Sequence, residues 1–478
     1  MTRRAWRGAA LVAVVSVAGL VGGCATTVGG TPKAERPDIT KIAGLDITTG
    51  ESGAKPGVPD ATLPVENGDG GEMDRLALNA LADVEAYWAE AMPANFGGKK
   101  FEPVKRLVSY DSTGDGVEIC RTSTAGVANA FYCSLDDSIA WDRGELLPML
   151  NDAFGPMSVV TVLAHETGHA VQYKLGAESG ITQATATIIK EQQADCYAGN
   201  FFRWIAEGKS EHFRISTGPG LNQVLATMFF IRDAAGTSAE KQGAHGSAFD
   251  RVAAFQFGFS SNPARCARID EAEIEERITQ QTFSPDDQSK GQIAVAERKN
   301  LDLLESSLRD AYKQTGAAPP AFKEGAASCP DAQTTSPAAY CPSTNQVSLD
   351  LAELTKIGAV PKKGQKGGIG DFAAFAEIAS RFTLSIQKAT GYPLDGPAAG
   401  LRTACLTGAW AGTTTKSTSK LRLSAGDLDE AVAELLADKS LIAADVNGAV
   451  VPSGFARVEA FRDGFFDGGN GICTRKYS

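Results

Sequence analysis

Residues 159–176 have the sequence VVTVLAHETGHAVQYKLG, an apolar segment that contains the pattern HExxH. The chain has 4 histidines, and His165 and His169 are two of them. Helical positions four residues apart lie on one face, so both imidazoles can reach one ion. Glu166 then stands beside the place of a metal-bound water. The segment therefore predicts a helix that carries two metal ligands and a candidate general base.

A second helix is expected to complete this site. The proline-free stretch TATIIKEQQADCYAGNFFRWI places Glu191 and Asp195 one helical turn apart. A hydrolytic zinc site takes three protein ligands and keeps one position open for water. His165, His169 and Glu191 meet that requirement for one Zn²⁺ per chain. Asp195 is then expected to orient a ligating imidazole through its other ring nitrogen.

The beginning of the chain indicates export. Residues 1–23 combine a basic start, an apolar run and small residues, as a signal peptide does. The sequence VGGC at residues 21–24 resembles a lipobox, in which Cys24 is lipidated; an ordinary secretory signal with an incidental Cys24 is the alternative. Residues 24–72 are rich in Gly, Pro, Thr and acidic residues and are expected to form a flexible tether. We therefore expect a protein anchored by lipid to the extracytoplasmic side of the cell membrane.

Composition narrows the choice of partners. The net charge of −11 argues against nucleic acid as a partner. Without Cys24, 8 of the 9 cysteines remain. An even number of cysteines outside the cytoplasm suggests disulfides, although spacing alone does not fix their connectivity.

Several segments recur later in the chain in the same order. The stretch ADCYAGNFF at residues 194–202 resembles ACLTGAWAG at 404–412, and FDRVAAFQFGF at 249–259 resembles FARVEAFRDGF at 455–465. These matches predict a second copy of the domain, although unrelated helical domains of similar composition remain an alternative. Residues without zinc-binding capacity occupy the five site positions in this copy: Ser380, Arg381, Leu384, Gly400 and Ala404. The second copy is thus predicted to fold without metal.

The repeat also predicts how the cysteines pair. Two cysteine spacings in the first copy, 13 and 70 residues, have counterparts of 12 and 68 residues in the second. These matched loops argue for four disulfides: Cys120–Cys133, Cys196–Cys266, Cys329–Cys341 and Cys405–Cys473.

The first copy resembles the bacterial neutral zinc metallopeptidases. The shared strings are AFYC, DSIAWD, HETGHAVQ, EQQADCYAG and HGSAFDRVAAFQFGF; they cover roughly residues 73–275, with a weaker likeness over 295–478. The resemblance implies zinc bound by His165, His169 and Glu191, with Glu166 as general base and Asp195 behind a ligand. It also implies a site role for His245, for which a surface loop histidine is the alternative. By contrast, His212 lies in the charged stretch KSEHFR and is expected to be exposed.

Together these patterns predict an α+β protein that is mostly helical. A zincin-like metallopeptidase domain at residues 73–285 is expected to precede a degenerate, metal-free repeat at 295–478. The expected activity is hydrolysis of peptide bonds in the cell envelope. An envelope interaction protein with a vestigial zinc site, whose second copy binds a protein partner, is one alternative. A zinc amidase acting on cell-wall peptides is another.

Overall fold

The computed structural model describes residues 38–235, 237, 243–277, 292–326, 328–360, 368–416, 418–468 and 470–478. The expected signal peptide at residues 1–23 and the expected lipidation site Cys24 lie outside these residues. None of the helices described has the length and apolar content needed to cross a bilayer. Short sheets and long helices make the fold α+β and mostly helical.

The helices are α1 (Glu72–Asn95), α2 (Leu146–Phe154), α3 (Pro156–Leu175), α4 (Thr187–Ala206), α5 (Pro219–Phe230), α6 (Ala248–Ser260), α7 (Pro263–Cys266), α8 (Glu271–Arg277), α9 (Arg298–Tyr312), α10 (Leu351–Ile357), α11 (Asp371–Ala389), α12 (Gly396–Thr414), α13 (Asp427–Leu436), α14 (Gly454–Asp467) and α15 (Asn470–Lys476). Short 3₁₀ turns follow α3 and α9 at Gly176–Ser179 and Lys313–Thr315. The strands are β1 (Lys41–Ile42), β2 (Leu45–Asp46), β3 (Gly53–Ala54), β4 (Arg106–Tyr110), β5 (Glu118–Ile119), β6 (Thr122–Ser123), β7 (Ala130–Cys133), β8 (Ser138–Asp142), β9 (Phe213–Arg214), β10 (Ala321–Glu324), β11 (Ala338–Cys341) and β12 (Gln346–Leu349).

Helix α3 is the centre of the first half. It begins at Pro156, whose fixed φ suits the first helical position, and it ends at Gly176, whose φ of 58° suits glycine. The helix packs against α1, α2, α4, α5 and strand β7. Most of its side chains are buried because it has neighbours on several sides, which accounts for the apolar sequence around the HExxH pattern.

The two halves of the chain share one sheet topology. In the first half the strand order is β4–β8–β7, with β4 parallel and β7 antiparallel to the central strand. In the second half the order is β10–β12–β11, again with the first strand parallel and the last antiparallel to the central one. Each sheet is followed by two long helices, α3 and α4 or α11 and α12. Buried side chains of both halves belong to one hydrophobic core.

Close helix crossings occur at equivalent glycines in the two halves. A Cβ atom on Gly199 of α4 would lie 2.1 Å from the carbonyl oxygen of Phe255 in α6. In the second half, a Cβ on Gly408 of α12 would lie 1.9 Å from the carbonyl oxygen of Phe461 in α14. Both distances are far below van der Waals contact, so each helix pair requires glycine at the crossing.

Four disulfides stabilise this arrangement. They are the pairs that the matched loop lengths predict: Cys120–Cys133, Cys196–Cys266, Cys329–Cys341 and Cys405–Cys473. The second and fourth link α4 to α7 and α12 to α15, beside the close crossings. No bridge among these joins one half to the other.

The interface between the halves is reciprocal. Helices α5 and α6 pack on α13 and α14. The side-chain oxygen Oδ1 of Asn222 in α5 accepts a hydrogen bond from the backbone nitrogen of Gly454, where α14 begins (2.8 Å). Oδ1 of Asp429 in α13 accepts one from the backbone nitrogen of Phe249, where α6 begins (3.3 Å). In each half, a side-chain oxygen thus accepts a hydrogen bond from the first turn of a helix in the other half.

The structure corrects the expectation of a flexible tether for residues 38–71. Strand β3 pairs with β9 through Gly53 and Arg214. The backbone nitrogen of Thr48 donates to Thr217 Oγ1 at 2.8 Å, and Ser52 Oγ accepts from the nitrogen of Ser216 at 2.9 Å. Small polar residues suggested disorder, but their hydroxyl groups bind a neighbouring segment. Residues 24–37 of the expected tether lie outside the described residues, as does most of the expected boundary at 285–295.

A second correction concerns His212, which is 7% exposed and not at the surface. Its Nδ1 lies 2.6 Å from Asp83 Oδ1, and Asp83 also accepts a hydrogen bond from the backbone nitrogen of His212. The charged neighbours of His212 in the sequence suggested exposure. Its partner Asp83 lies on α1, far away in the chain, so the sequence did not show this contact.

Candidate metal centre

Helices α3 and α4 bring together the three ligands expected from the sequence. His165 and His169 lie one turn apart on α3, with ring centroids separated by 4.8 Å, and Glu191 faces them from α4. The helices approach closely at Gly168, where a Cβ atom would lie 2.9 Å from Ala194 Cα. The glycine inside the HETGH sequence thus allows α4 to present Glu191 to both imidazoles.

The geometry of these donors fits a small metal ion. Nε2 of His165 lies 3.1 Å from Glu191 Oε2, and Nε2 of His169 lies 3.3 Å from Oε1. Tetrahedral zinc with ligand distances near 2.0–2.1 Å separates its donor atoms by about 3.3 Å. Burial alone would raise the pKa of Glu191, but His169 and His165 hold that pKa well below its ordinary value. Glu191 is therefore an anionic donor placed between two imidazoles.

A buried chain of polar groups supports His165 from behind. Its Nδ1 lies 2.7 Å from Asp195 Oδ1, which leaves Nε2 directed at Glu191. Arg251 of α6 donates to both oxygens of Asp195, at 2.9 and 2.8 Å, and its Nη1 donates to the carbonyl oxygen of Ile231. The carboxylate of Asp195 thus fixes the orientation of the imidazole and is itself fixed by a bidentate arginine.

Arg251 is a site residue that sequence reasoning did not assign. It belongs to the string FDRVAAFQFGF, where the repeat marked it only as an equivalent of Arg457. The only available signal was the charged pair Asp250–Arg251 in an otherwise largely apolar string. The identity of its partner depended on how α6 crosses α4, which the sequence does not display.

Glu166 occupies a cleft of about 380 Å³ that also borders His165, His169 and Glu191. Its Oε2 accepts a hydrogen bond from the backbone nitrogen of Tyr132 on strand β7 (2.9 Å). Burial raises the pKa of Glu166, and the nearby histidines and this amide only partly offset the effect. A carboxylate that is oriented and has a raised pKa suits proton transfer near neutral pH.

His245 also lines this cleft. Its side chain is 50% exposed, and its Nδ1 lies 3.4 Å from Asp233 Oδ1. The backbone nitrogens of His245 and Gly246 both donate to Asp233 Oδ2, at 2.8 and 2.9 Å. Asp233 therefore fixes the loop and leaves the imidazole accessible from the cleft.

The equivalent positions of the second half contain no such donor set. Arg381 is fully buried and donates to the carbonyl oxygens of Leu441, Ala444 and Asp445. Ser380 Oγ donates to the carbonyl of a residue one turn earlier. The remaining positions are Leu384, Gly400 and Ala404. Among the described residues of α11 and α12, these five positions offer no cluster of metal-ligating side chains.

Comparison with known protein families agrees with this geometry. A family model described as "Putative neutral zinc metallopeptidase" matches residues 8–269, more than half of the chain. The chain belongs to this family. The match includes α3, α4 and α6 of the candidate metal centre and ends before the second half begins.

Sequence comparison finds bacterial relatives that are described as uncharacterized proteins. An uncharacterized protein of Mycobacterium tuberculosis is 27% identical over 211 residues, which are 40% of this chain and 69% of the relative. The uncharacterized protein YpfJ of Escherichia coli is 25% identical over 237 residues, 47% of this chain and 80% of the relative. No solved structure matches the chain.

Proposed function

We propose that this chain is a zinc-dependent peptidase of the cell envelope, anchored to the membrane through lipid on Cys24. The observation that carries the peptidase proposal is the donor set of His165, His169 and Glu191 beside the oriented carboxylate of Glu166. A purely structural zinc site does not need a free glutamate in the cleft. The basic and apolar start of the sequence and its VGGC motif support export and lipid anchoring.

In this proposal, His165, His169 and Glu191 would hold Zn²⁺, which supplies Lewis acidity and lowers the pKa of water when bound. Glu166 accepts the proton of the attacking water and returns it to the leaving amine. Asp195 holds His165 in the tautomer whose Nε2 is free to bind, and Arg251 holds Asp195. His245, which lines the same cleft, would donate a hydrogen bond to the oxygen of the scissile carbonyl as its negative charge develops.

We infer that the second half is a metal-free copy of the same unit. The common sheet topology, the equivalent glycine crossings and the matched disulfides support this. In this proposal the second half shapes access to the cleft or recruits a protein partner. Its packing on α5 and α6 supports the first role, because α6 carries Arg251 of the cleft lining.

The metal assignment is tested by elemental analysis of the purified chain. One zinc per chain is expected, with loss in His165→Ala and in Glu191→Ala. Ser380→Ala changes the position equivalent to His165 in the second half and should retain full zinc. Two zinc ions per chain, or zinc retained in both ligand variants, would contradict the assignment.

The activity is tested with an unbiased peptide library and with cell-wall peptides in parallel. Glu166→Gln should keep its zinc and lose cleavage, because the amide cannot accept the proton. Cleavage confined to cell-wall peptides would favour an amidase. A zinc-loaded wild type that cleaves neither class would favour an interaction protein with a vestigial site.

A further inference from the structure

Three carboxylates meet in the second half, far in sequence from the candidate zinc ligands. Asp371 begins α11, and Asp427 and Glu430 lie in the first turn of α13. Each offers an oxygen, and these oxygens all lie within 4.8 Å of one another. Asp371 is 6% exposed and Asp427 is 5% exposed. Such a concentration of buried negative charge needs a compensating positive charge or protons.

Uncharged groups are the partners that the structure gives these carboxylates. Asp371 Oδ2 accepts from the backbone nitrogen of Ile293, and Glu430 Oε2 accepts from that of Phe372, both at 2.9 Å. Asp427 accepts from the backbone nitrogen and hydroxyl of Ser424, at 2.8 and 2.6 Å. Gln292 donates its side-chain amide to Glu430. Among the described residues, no lysine or arginine forms an ion pair with any of the three.

One oxygen of the cluster has no partner at all. Asp371 Oδ1 is buried and makes no hydrogen bond. Asp371 and Asp427 also line a cavity of about 310 Å³. Lys420 lines the same cavity, but its Nζ pairs with Asp310 at 3.3 Å; Arg422 lines it as well. An unsatisfied carboxylate oxygen beside a cavity is a position where a cation gains a ligand.

The shared fold does not require this cluster. The corresponding helices of the first half, α3 and α5, have no acidic residue in their first turns. In the second half, Gly370 makes room for the acidic group, since a Cβ there would lie 1.9 Å from Glu430 Cδ. The acidic side chains are thus a property of the second half alone.

We propose that Asp371, Asp427 and Glu430 bind one divalent cation of the hard, oxygen-preferring class, with Ca²⁺ as the ion of choice. Oxygen ligands at 2.3–2.6 Å from Ca²⁺ lie up to about 5 Å apart, which matches the spacing of the three carboxylates.

Binding there would connect three parts of the chain. Asp371 accepts a hydrogen bond from Ile293 and its backbone nitrogen donates to Gln292 Oε1 (2.9 Å), both in the segment that enters the second half. Asp427 and Glu430 belong to α13, which packs on α5 and α6 of the first half. The cation therefore stabilises the entry segment, α11 and the interface helix together.

The test is a calcium titration of the full chain, followed by calorimetry and by the unfolding temperature. One Ca²⁺ should bind, and Tm should rise by about 3–6 °C at a calcium concentration of 100 times Kd. The same response is expected in His165→Ala without zinc, which separates this proposal from the peptidase assignment. Asp438 is exposed on the same half, and Asp438→Asn serves as the matched control.

Asp427→Asn with Glu430→Gln should weaken calcium binding at least tenfold. In calcium-free buffer this double variant should be as stable as the wild type or more so, because two buried carboxylates become neutral amides. Its unfolding temperature in that buffer therefore checks that the fold is intact, independently of calcium binding. A wild type with no response to Ca²⁺, Mg²⁺ or Mn²⁺ would overturn the proposal. So would a response to Ca²⁺ that persists in the double variant.

Discussion

Replacing Asp195 with asparagine tests what stabilises the buried polar chain behind the candidate metal centre. The side chain of Arg251 is 2% exposed, and Asp195 is its carboxylate partner at 2.8 Å. Asparagine keeps the size of the side chain but removes the charge. The change leaves a buried guanidinium with neutral acceptors only, among them the carbonyl oxygen of Ile231.

The second half provides a measure of the cost. Arg457 occupies the place of Arg251, but Ala404 stands where Asp195 would be. Arg457 Nη1 donates to the carbonyl of Ala437, and its Nε has no partner. Burial lowers the pKa of Arg457 to about 10, with Asp438 and Glu434 offsetting only part of the effect. Relative to an ordinary arginine, this depression corresponds to about 3–5 kcal/mol, similar to the usual cost of breaking a buried ion pair.

Asp195→Asn should therefore lower the free energy of unfolding of the zinc-free chain by about 3–5 kcal/mol, measured by urea denaturation. Zinc affinity should fall by about 10–100-fold, since His165 loses the partner that orients it. Adding Arg251→Gln should recover much of the stability because the unpaired charge is removed. Arg457→Gln, the control, should change stability by less than about 1 kcal/mol or increase it. A loss below about 1 kcal/mol in Asp195→Asn, or no recovery in the double variant, would refute the reasoning.

Two further predictions concern the crossings and the interface. Gly199→Ala and Gly408→Ala should each lower the free energy of unfolding by about 3 kcal/mol or more, because each new Cβ would lie 2.1 or 1.9 Å from a carbonyl oxygen. Tm should fall markedly and by similar amounts in the two variants. A large effect in one half only would argue against equivalent packing. Burial raises the pKa of Asp429 to about 6 although Arg232 opposes this, so the folded protein holds a proton that the unfolded chain releases near pH 4. The wild type should therefore lose stability as pH rises from about 4 to about 6, and the slope should be shallower in Asp429→Asn when Tm is followed against pH; equal slopes would contradict the assignment.

The sequence was most informative where spacing alone determines geometry. His165 and His169 had to share a helix face, and the matched cysteine loops gave the four disulfide pairs that the structure contains. Family membership, expected from the strings around these residues, is confirmed by the match over residues 8–269.

Partners distant along the chain were harder to foresee. The hydrogen bond from the Tyr132 amide to Glu166 involves a backbone group, which has no signature in the residue types. Arg251 and Asp83 each depended on a helix crossing that composition does not reveal. Residues 38–71 misled because their small polar side chains are equally common in unstructured linkers and in segments that hydrogen-bond to a neighbouring strand.

The reciprocal contacts of Asn222 and Asp429 affect which substitutions the two sides of the interface can accept. A surface that meets its own equivalent is the surface of a twofold dimer, in which every substitution occurs twice. Here both sides lie on one polypeptide, so the connection keeps them at a high effective concentration, and each side can change alone. One side has an amide at this position and the other a carboxylate that also binds Arg232. The covalent connection thus frees each half from the constraint of symmetry. The first half can carry the donor set of His165, His169 and Glu191, while the second half buries Arg381.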